Sequence, residues 1–276
     1  MTEVFTLEWS GGVAEHHFRK ARPEDAIAWE LLDARRYSEP LLAAAREVWT
    51  GVALSEYAAI ASFSEVVSAL VATRAPLDLI GMTADFLADE VHHVELASRL
   101  LMQLGGAAVK TFEPSELAPR LPPGLTPRQR ANELAVRIGC VAETFASETA
   151  VPMMRETTHP VVRAVYQTIL RDEARNRRFG SLYFEWAEPA LDDAERARLG
   201  RVAVHALSAY APLWRGAANL AEAPAKFSPE EIHELGWIEP GRYVPLAKRA
   251  VTDEIVPGLE ALGIVLPEDE LARLLS

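Results

Sequence analysis

The chain has 276 residues, 49% apolar and 25% charged, an ordinary globular composition that excludes a disordered chain, a collagen and a small disulfide scaffold. With 28 Lys and Arg against 40 Asp and Glu, the net charge is −12, which repels phosphate backbones and argues against nucleic-acid binding. The single cysteine, Cys140, precludes an intramolecular disulfide and fits a reducing compartment.

Met1 to Ser10 does not read as a signal peptide, and no stretch approaches the roughly 20 apolar residues of a membrane span. The expectation is therefore a cytoplasmic protein with no membrane and no nucleic-acid partner. The densest basic run, Arg171 to Arg178, also holds Asp172 and Glu173, so it does not change that expectation.

In chain order, only Val4 to Trp9 alternates like a strand. A short helix is predicted to start at Pro23-Glu24, with Pro in the first turn and acids behind it. Long helices are predicted from about Pro40 to Thr73 and from Leu77 to the stop at Gly105-Gly106. Pro114 to Pro127, with Pro119, Pro122, Pro123 and Gly124, reads as a connector. Further helices are predicted over Thr126 to Thr157, Pro160 to just before Pro189, and Leu191 to Leu220. Ala221 to Ser276 carries shorter helices, with starts at Ser228-Pro229 and Pro267-Glu268.

Two long helices with a short turn, a long crossover, and two more with a short turn make an all-α, four-helix bundle with one crossover. The long connection lets the third helix run parallel to the second. Residues 1–220 would form the bundle domain with its N-terminal extension, and 221–276 a helical extension packed on it.

Each bundle helix carries a carboxylate into its apolar stripe. The second reads Leu79, Met82, Phe86, Glu90, His93, Ala97, Leu100; the fourth reads Val162, Tyr166, Ile169, Glu173, Asn176, Gly180, Tyr183. Glu56 and Glu143 occupy such stripes in the first and third. An unpartnered carboxylate there costs several kcal/mol. At 1.5 Å per residue, Glu56 and Glu90 lie roughly 28 and 22 Å from the turn near residue 75, and Glu143 and Glu173 roughly 24 and 21 Å from the turn near His159. Four carboxylates and a histidine at mid-bundle suit two hard, oxygen-loving metal ions.

Glu65 would miss the level of Glu90 by a similar amount, but its stripe, Ala58, Ser62, Ser68 and Ala72, is weakly apolar. Glu148 and Glu143 are not separated by level. Glu-x-x-His occurs three times, and Glu156/His159 and Glu230/His233 sit at helix ends, where capping or surface roles account for them.

The segments around Glu56-Tyr57-Ala58-Ala59-Ile60, Asp89-Glu90-Val91-His92-His93, Gly139-Cys140-Val141-Ala142-Glu143 and Asp172-Glu173-Ala174-Arg175-Asn176 resemble the ligand segments of bacterial ferritin-like diiron-carboxylate proteins, over about residues 45 to 185. The resemblance implies Glu56, Glu90, His93, Glu143 and Glu173 as metal ligands, with Glu90 and Glu173 bridging. It favours Glu143 over Glu148. Where that superfamily has a second histidine, this chain has Asn176, which would ligate weakly, hold a water, or mark a lost position.

His92 is expected on the surface or behind the ligands, and Asp89 and Asp172 could orient a ligand histidine. Ser147 is a candidate proton relay and Tyr166 a candidate redox neighbour, each weighed against plain core packing. The implied cofactors are two metal ions, Fe/Fe or Mn/Fe. The implied function is an O2-activating oxidase or oxygenase acting on a small organic substrate, with an electron donor, in a homodimer. The alternatives are a ferroxidase or iron-handling protein, and a metal-depleted binding module.

Overall fold

The structure, a computed structural model, describes residues 2–22, 26–214 and 226–276. Its centre is an antiparallel pair, α2 (Glu39–Ala72) and α3 (Leu77–Gln103). Pro40 opens α2, and α3 stops where Gly105 and Gly106 take φ of 93° and 115°, the left-handed region that glycine occupies without strain. The crossover follows, and a capping box built by Thr126 and Gln129 starts α4 (Pro127–Leu134). A π-helical segment, Ala135–Ala142, continues into α5 (Glu143–Glu156). After a short turn come α6 (Pro160–Asn176) and α7 (Phe179–Ala187).

Glu65 of α2 meets Arg130 of α4, and Asp89 and Glu90 of α3 meet Arg175 and Asn176 of α6. The third helix therefore runs antiparallel to α2 and parallel to α3, as the crossover length predicts. This is the all-α, one-crossover bundle expected from the sequence.

Some expectations are corrected. The strand is only β1 (Glu3–Val4), paired antiparallel with β2 (Thr111–Phe112) in the crossover. The N-terminal helix is α1 (Gly12–Ala21), with Glu15 in its first turn and Arg19 and Lys20 in its last, matching the helix dipole. The start predicted at Pro23-Glu24 lies outside the described residues; beyond it stand only single 3-10 turns at Trp29–Leu31 and Ala34–Arg36.

The fourth bundle helix is not continuous. It breaks after Asn176, where the Arg178 amide bonds the Arg175 carbonyl three residues back, and resumes as α7. The fifth helix is α8 (Asp193–Ser208), and the predicted end at Leu220, like the 220/221 boundary, lies outside the described residues. Among the described residues α2 is the one helix whose length and mean hydropathy (1.3 over its most apolar window) would suffice to cross a membrane, which the residue pattern had not suggested; here it packs against three other bundle elements.

After residue 225 come α9 (Pro229–Glu234), α10 (Pro240–Arg249), a second π segment Ala250–Ile255, α11 (Val256–Ala261) and α12 (Glu268–Leu275). They pack mainly on α5 and α8. The buried Trp49 indole donates to the Leu235 carbonyl at 2.9 Å.

Apolar burial divides into two cores. One holds Phe63, Val66, Leu70, Phe86, Phe145 and Tyr183. The other holds Leu41, Trp49, Leu100, Val162, Tyr166 and Leu235. Along α2 and α3 the residues between the two cores are Glu56, Glu90 and His93, so the polar cluster is a layer between them.

Candidate metal centre

Helical spacing delivers each member of that layer. Glu90 and His93 share one face of α3 at i, i+3, and Glu173 and Asn176 repeat that spacing on α6. His93 is fully buried, and its Nδ1 lies 3.5 Å from Glu56 Oε2, 3.6 Å from Glu90 Oε2 and 3.4 Å from Glu173 Oε1. Glu56, Glu90, His93 and Glu173 each offer a donor atom within 4.8 Å of the others. Donors bound about 2.1 Å from one ion stand about 3.0–3.4 Å apart, so a single small cation fits once the widest pair closes by up to about 1.4 Å.

The polar bookkeeping agrees. Glu90 Oε2, Glu143 Oε2, Glu173 Oε2, Asn176 Oδ1 and both His93 nitrogens are buried with no hydrogen-bond partner. Orphans of this kind are costly, and a cation that accepts their lone pairs removes the cost.

Protons stand in for that cation in the metal-free chain. Burial pushes Glu90 and Glu173 well above the ordinary carboxylate range, and neighbouring carboxylate charges add to the push. Burial, then the Glu90 charge, pushes Glu143 up to about 8. Burial opposes the charge on Glu56, but its contact with His93 outweighs that and holds its carboxyl below the usual value. Burial likewise opposes charge on His93, yet Asp172, Glu56 and Glu90 together hold it well above its usual value.

A second layer orients the imidazole. His93 Nε2 faces Asp172 Oδ2 at 3.6 Å, so Nδ1 is the nitrogen turned to the carboxylates. Asp172 is held down to about 2, burial being outweighed by His93 and Arg171. Arg175 bridges Asp172 and Asp89, and Arg22, just past α1, reaches Asp89 at 3.0 Å. The end of α1 is thus tied to the residue preceding Glu90.

The remaining candidates separate clearly. Glu143 is buried beside Glu173 but outside the group of four. Glu65 and Glu148, the competitors on level, are turned away and paired with Arg130 and Arg177. Asn176 is fully buried, and its amide Nδ2 donates to Glu90 Oε1 at 3.1 Å. His92 is buried, not on the surface. His159 caps α6 by accepting from the Val161 amide, and Glu156 pairs with Arg242.

A cavity of about 460 Å³ opens to solvent and reaches Glu56, Glu90, Glu143 and Glu173. Alanines and isoleucines, including Ala59, Ile138, Ala142, Ala146 and Ile169, form the apolar part of its wall. Ser147 lies in this wall. Tyr166 does not: its hydroxyl donates to the Gly236 carbonyl at 2.6 Å and its ring packs on Trp49. The aromatic hydroxyl in the wall is Tyr210, stacked on Phe145 and close enough to Glu143 to feel its charge. Sequence reasoning missed Tyr210 because it lies just past α8, outside the four repeated stripes. Arg137 and His205 sit at the rim, where an Arg137 N–H donates to His205 Nδ1 at 3.1 Å.

The structure is similar to a solved protein described as protein 19 with aldehyde deformylating oxidase activity, from Synechococcus. The TM-score is 0.57 at 18% identity, over 86% of this chain and 97% of that one. At that identity the likeness speaks to the fold alone. No protein-family model matches the chain, and no curated protein matches it. The chain has a ferritin-like helical-bundle fold, and its carboxylate and histidine cluster could hold a metal ion.

Proposed function

We propose that this ferritin-like bundle is a non-haem metal-carboxylate oxidase or oxygenase, binding two metal ions, iron foremost, and using O2 on a small organic substrate. The observation that carries the proposal is the junction of two features. Carboxylates of the orphaned donor cluster form the inner wall of a cavity whose lining also includes a run of alanines, isoleucines and leucines. A cluster that merely stabilised the core would be matched by arginines, as Glu65 and Glu148 are.

Ferrous ions held there would supply the electrons and open positions that activate O2. The chain's own contributions are separable. Glu56, Glu90, His93 and Glu173, with Glu143, would hold the metals. Asp172 fixes the His93 tautomer and ring plane. The alanine walls select a slender substrate and exclude bulk water from its reactive end. Ser147 and Tyr210 place hydroxyls along the wall, where they can hold or pass a proton near Glu143.

An organic-sized cavity favours an oxidase over iron handling, since iron needs only a narrow polar path. An external electron donor completes the cycle where the substrate does not supply all the electrons that O2 takes up. The Synechococcus protein's aldehyde activity makes aldehydes of graded length the first substrates to try.

The test is O2 consumption by anaerobically Fe(II)-loaded protein with each aldehyde and a chemical reductant. Substrate-dependent uptake with an organic product is expected. Uptake that tracks added iron alone, with no product from any organic substrate, would replace this proposal with the ferroxidase one.

A further inference from the structure

The donor set is lopsided. The cluster holds a single imidazole, His93, and the group of four donors closes around its Nδ1. Glu143 stands outside that group with one orphaned oxygen. The residue that could serve a second position, Asn176, donates its Nδ2 to Glu90 Oε1 and keeps its Oδ1 buried without a hydrogen-bond partner.

That hydrogen bond has a consequence for Glu90. With Oε1 accepting from the amide, the wholly unpartnered oxygen is Oε2, which is the one facing His93. Against ionised Glu90, the form a metal binds, turning the amide over would set Asn176 Oδ1 against a carboxylate oxygen, a repulsive contact, so Nδ2 faces Glu90. Glu90 thus presents its unpartnered Oε2 to the His93 side, while Oε1 shares its lone pairs with the Asn176 amide.

We propose that the cluster is two unequal metal positions. The strong one is held by Glu56, Glu90, His93 and Glu173. The weak one is held by Glu143 and the second oxygen of Glu173, with the amide oxygen of Asn176, whose Nδ2 donates to Glu90, standing where an imidazole would bind more tightly. Two carboxylates and an amide oxygen, with no imidazole, bind a divalent ion loosely, and the remaining places fall to water or to a substrate oxygen from the cavity. The inference deepens the proposed function and rests on it: one metal would stay resident, and the other would be in exchange.

The experiment is an anaerobic titration of the metal-free full chain with Mn(II), following free ion and the bound spectrum by electron paramagnetic resonance. The first equivalent should bind at least tenfold more tightly than the second and give the signal of an isolated Mn(II). Glu143→Gln should leave the first equivalent in place and remove the second. Asn176→His should tighten the second at least tenfold and yield a spin-coupled pair at two equivalents, with helical circular dichroism unchanged. Two equivalents taken up with equal affinity as a coupled pair by the unaltered chain would overturn the inference while leaving the metal-carboxylate proposal intact. Loss of the first equivalent in Glu143→Gln would overturn it as well. No Mn(II) binding at all would overturn both.

Discussion

His93 is where the chemistry of the site converges. One ring nitrogen faces three carboxylates and the other faces Asp172. Removing that outer partner should loosen the ring, so Asp172→Asn is expected to weaken metal binding roughly 10- to 100-fold without unfolding the chain. An unchanged affinity in the same metal titration would mean that packing alone orients His93. Glu90→Ala should remove metal uptake entirely while helical circular dichroism is kept.

The same residues set a pH dependence. Glu143, Glu90 and Glu173 all titrate above their ordinary value of 4.5, and His93 above 6.5. The metal-free folded chain therefore holds protons that the unfolded chain has already lost. Stability from these groups is present in full below the ordinary values and is lost as pH rises through the raised ones, about 8 for Glu143. The slope is about 1.4 kcal/mol per pH unit for each excess proton. Asp172 works the other way, losing its contribution only as pH falls from its ordinary 3.8 through about 2. Thermal unfolding of the metal-free protein should move to lower temperature between about pH 6 and 9. Bound metal should reverse that trend, because it takes the deprotonated ligands and releases their protons.

At the scale of elements, the π segment before Glu143 and the break after Asn176 belong together. A Cβ on Gly180 would come within 2.6 Å of Cys140 Sγ, and one on Gly139 within 2.9 Å of the Gly180 backbone nitrogen. The third helix and α7 are thus in backbone contact, and the wide π turns and the break are where the chain adjusts to it. Gly180→Val should cost about 1–3 kcal/mol through overpacking and lower the unfolding temperature by several degrees. Ala146→Phe, in the cavity wall, should suppress turnover of the longer substrates while leaving metal content unchanged. If it lowers metal content equally, the cavity and the cluster are not separable.

These irregular elements are also where sequence reading stopped. Glu90 and His93 stand out because polar residues interrupt an apolar stripe in a regular helix, and regular helices keep phase. Glu143 could not be told from Glu148 by level, and a π turn in between, off the 3.6-residue period, blurs any finer phase argument. The break after Asn176 carries no proline, and Gly180, which permits the contact, also fits a continuous stripe. Sequence reading singles out Tyr166 and misses Tyr210, because the cavity wall draws on the crossover, the π segment and the end of α8. Those segments meet only in the folded chain.

At the scale of the molecule, two apolar cores are stacked with a layer of unmatched polar donors between them. Such a layer is a weakness unless something fills it, and the cavity that reaches it gives an ion or a substrate its way in. The most direct measurement is metal content per chain by plasma mass spectrometry, on protein produced with iron and manganese supplied, beside Glu90→Ala produced in the same way. One to two metals per chain, lost in the variant, is the predicted result. No metal under that supply, or a content that Glu90→Ala leaves unchanged, would contradict the assignment of this layer as a metal centre.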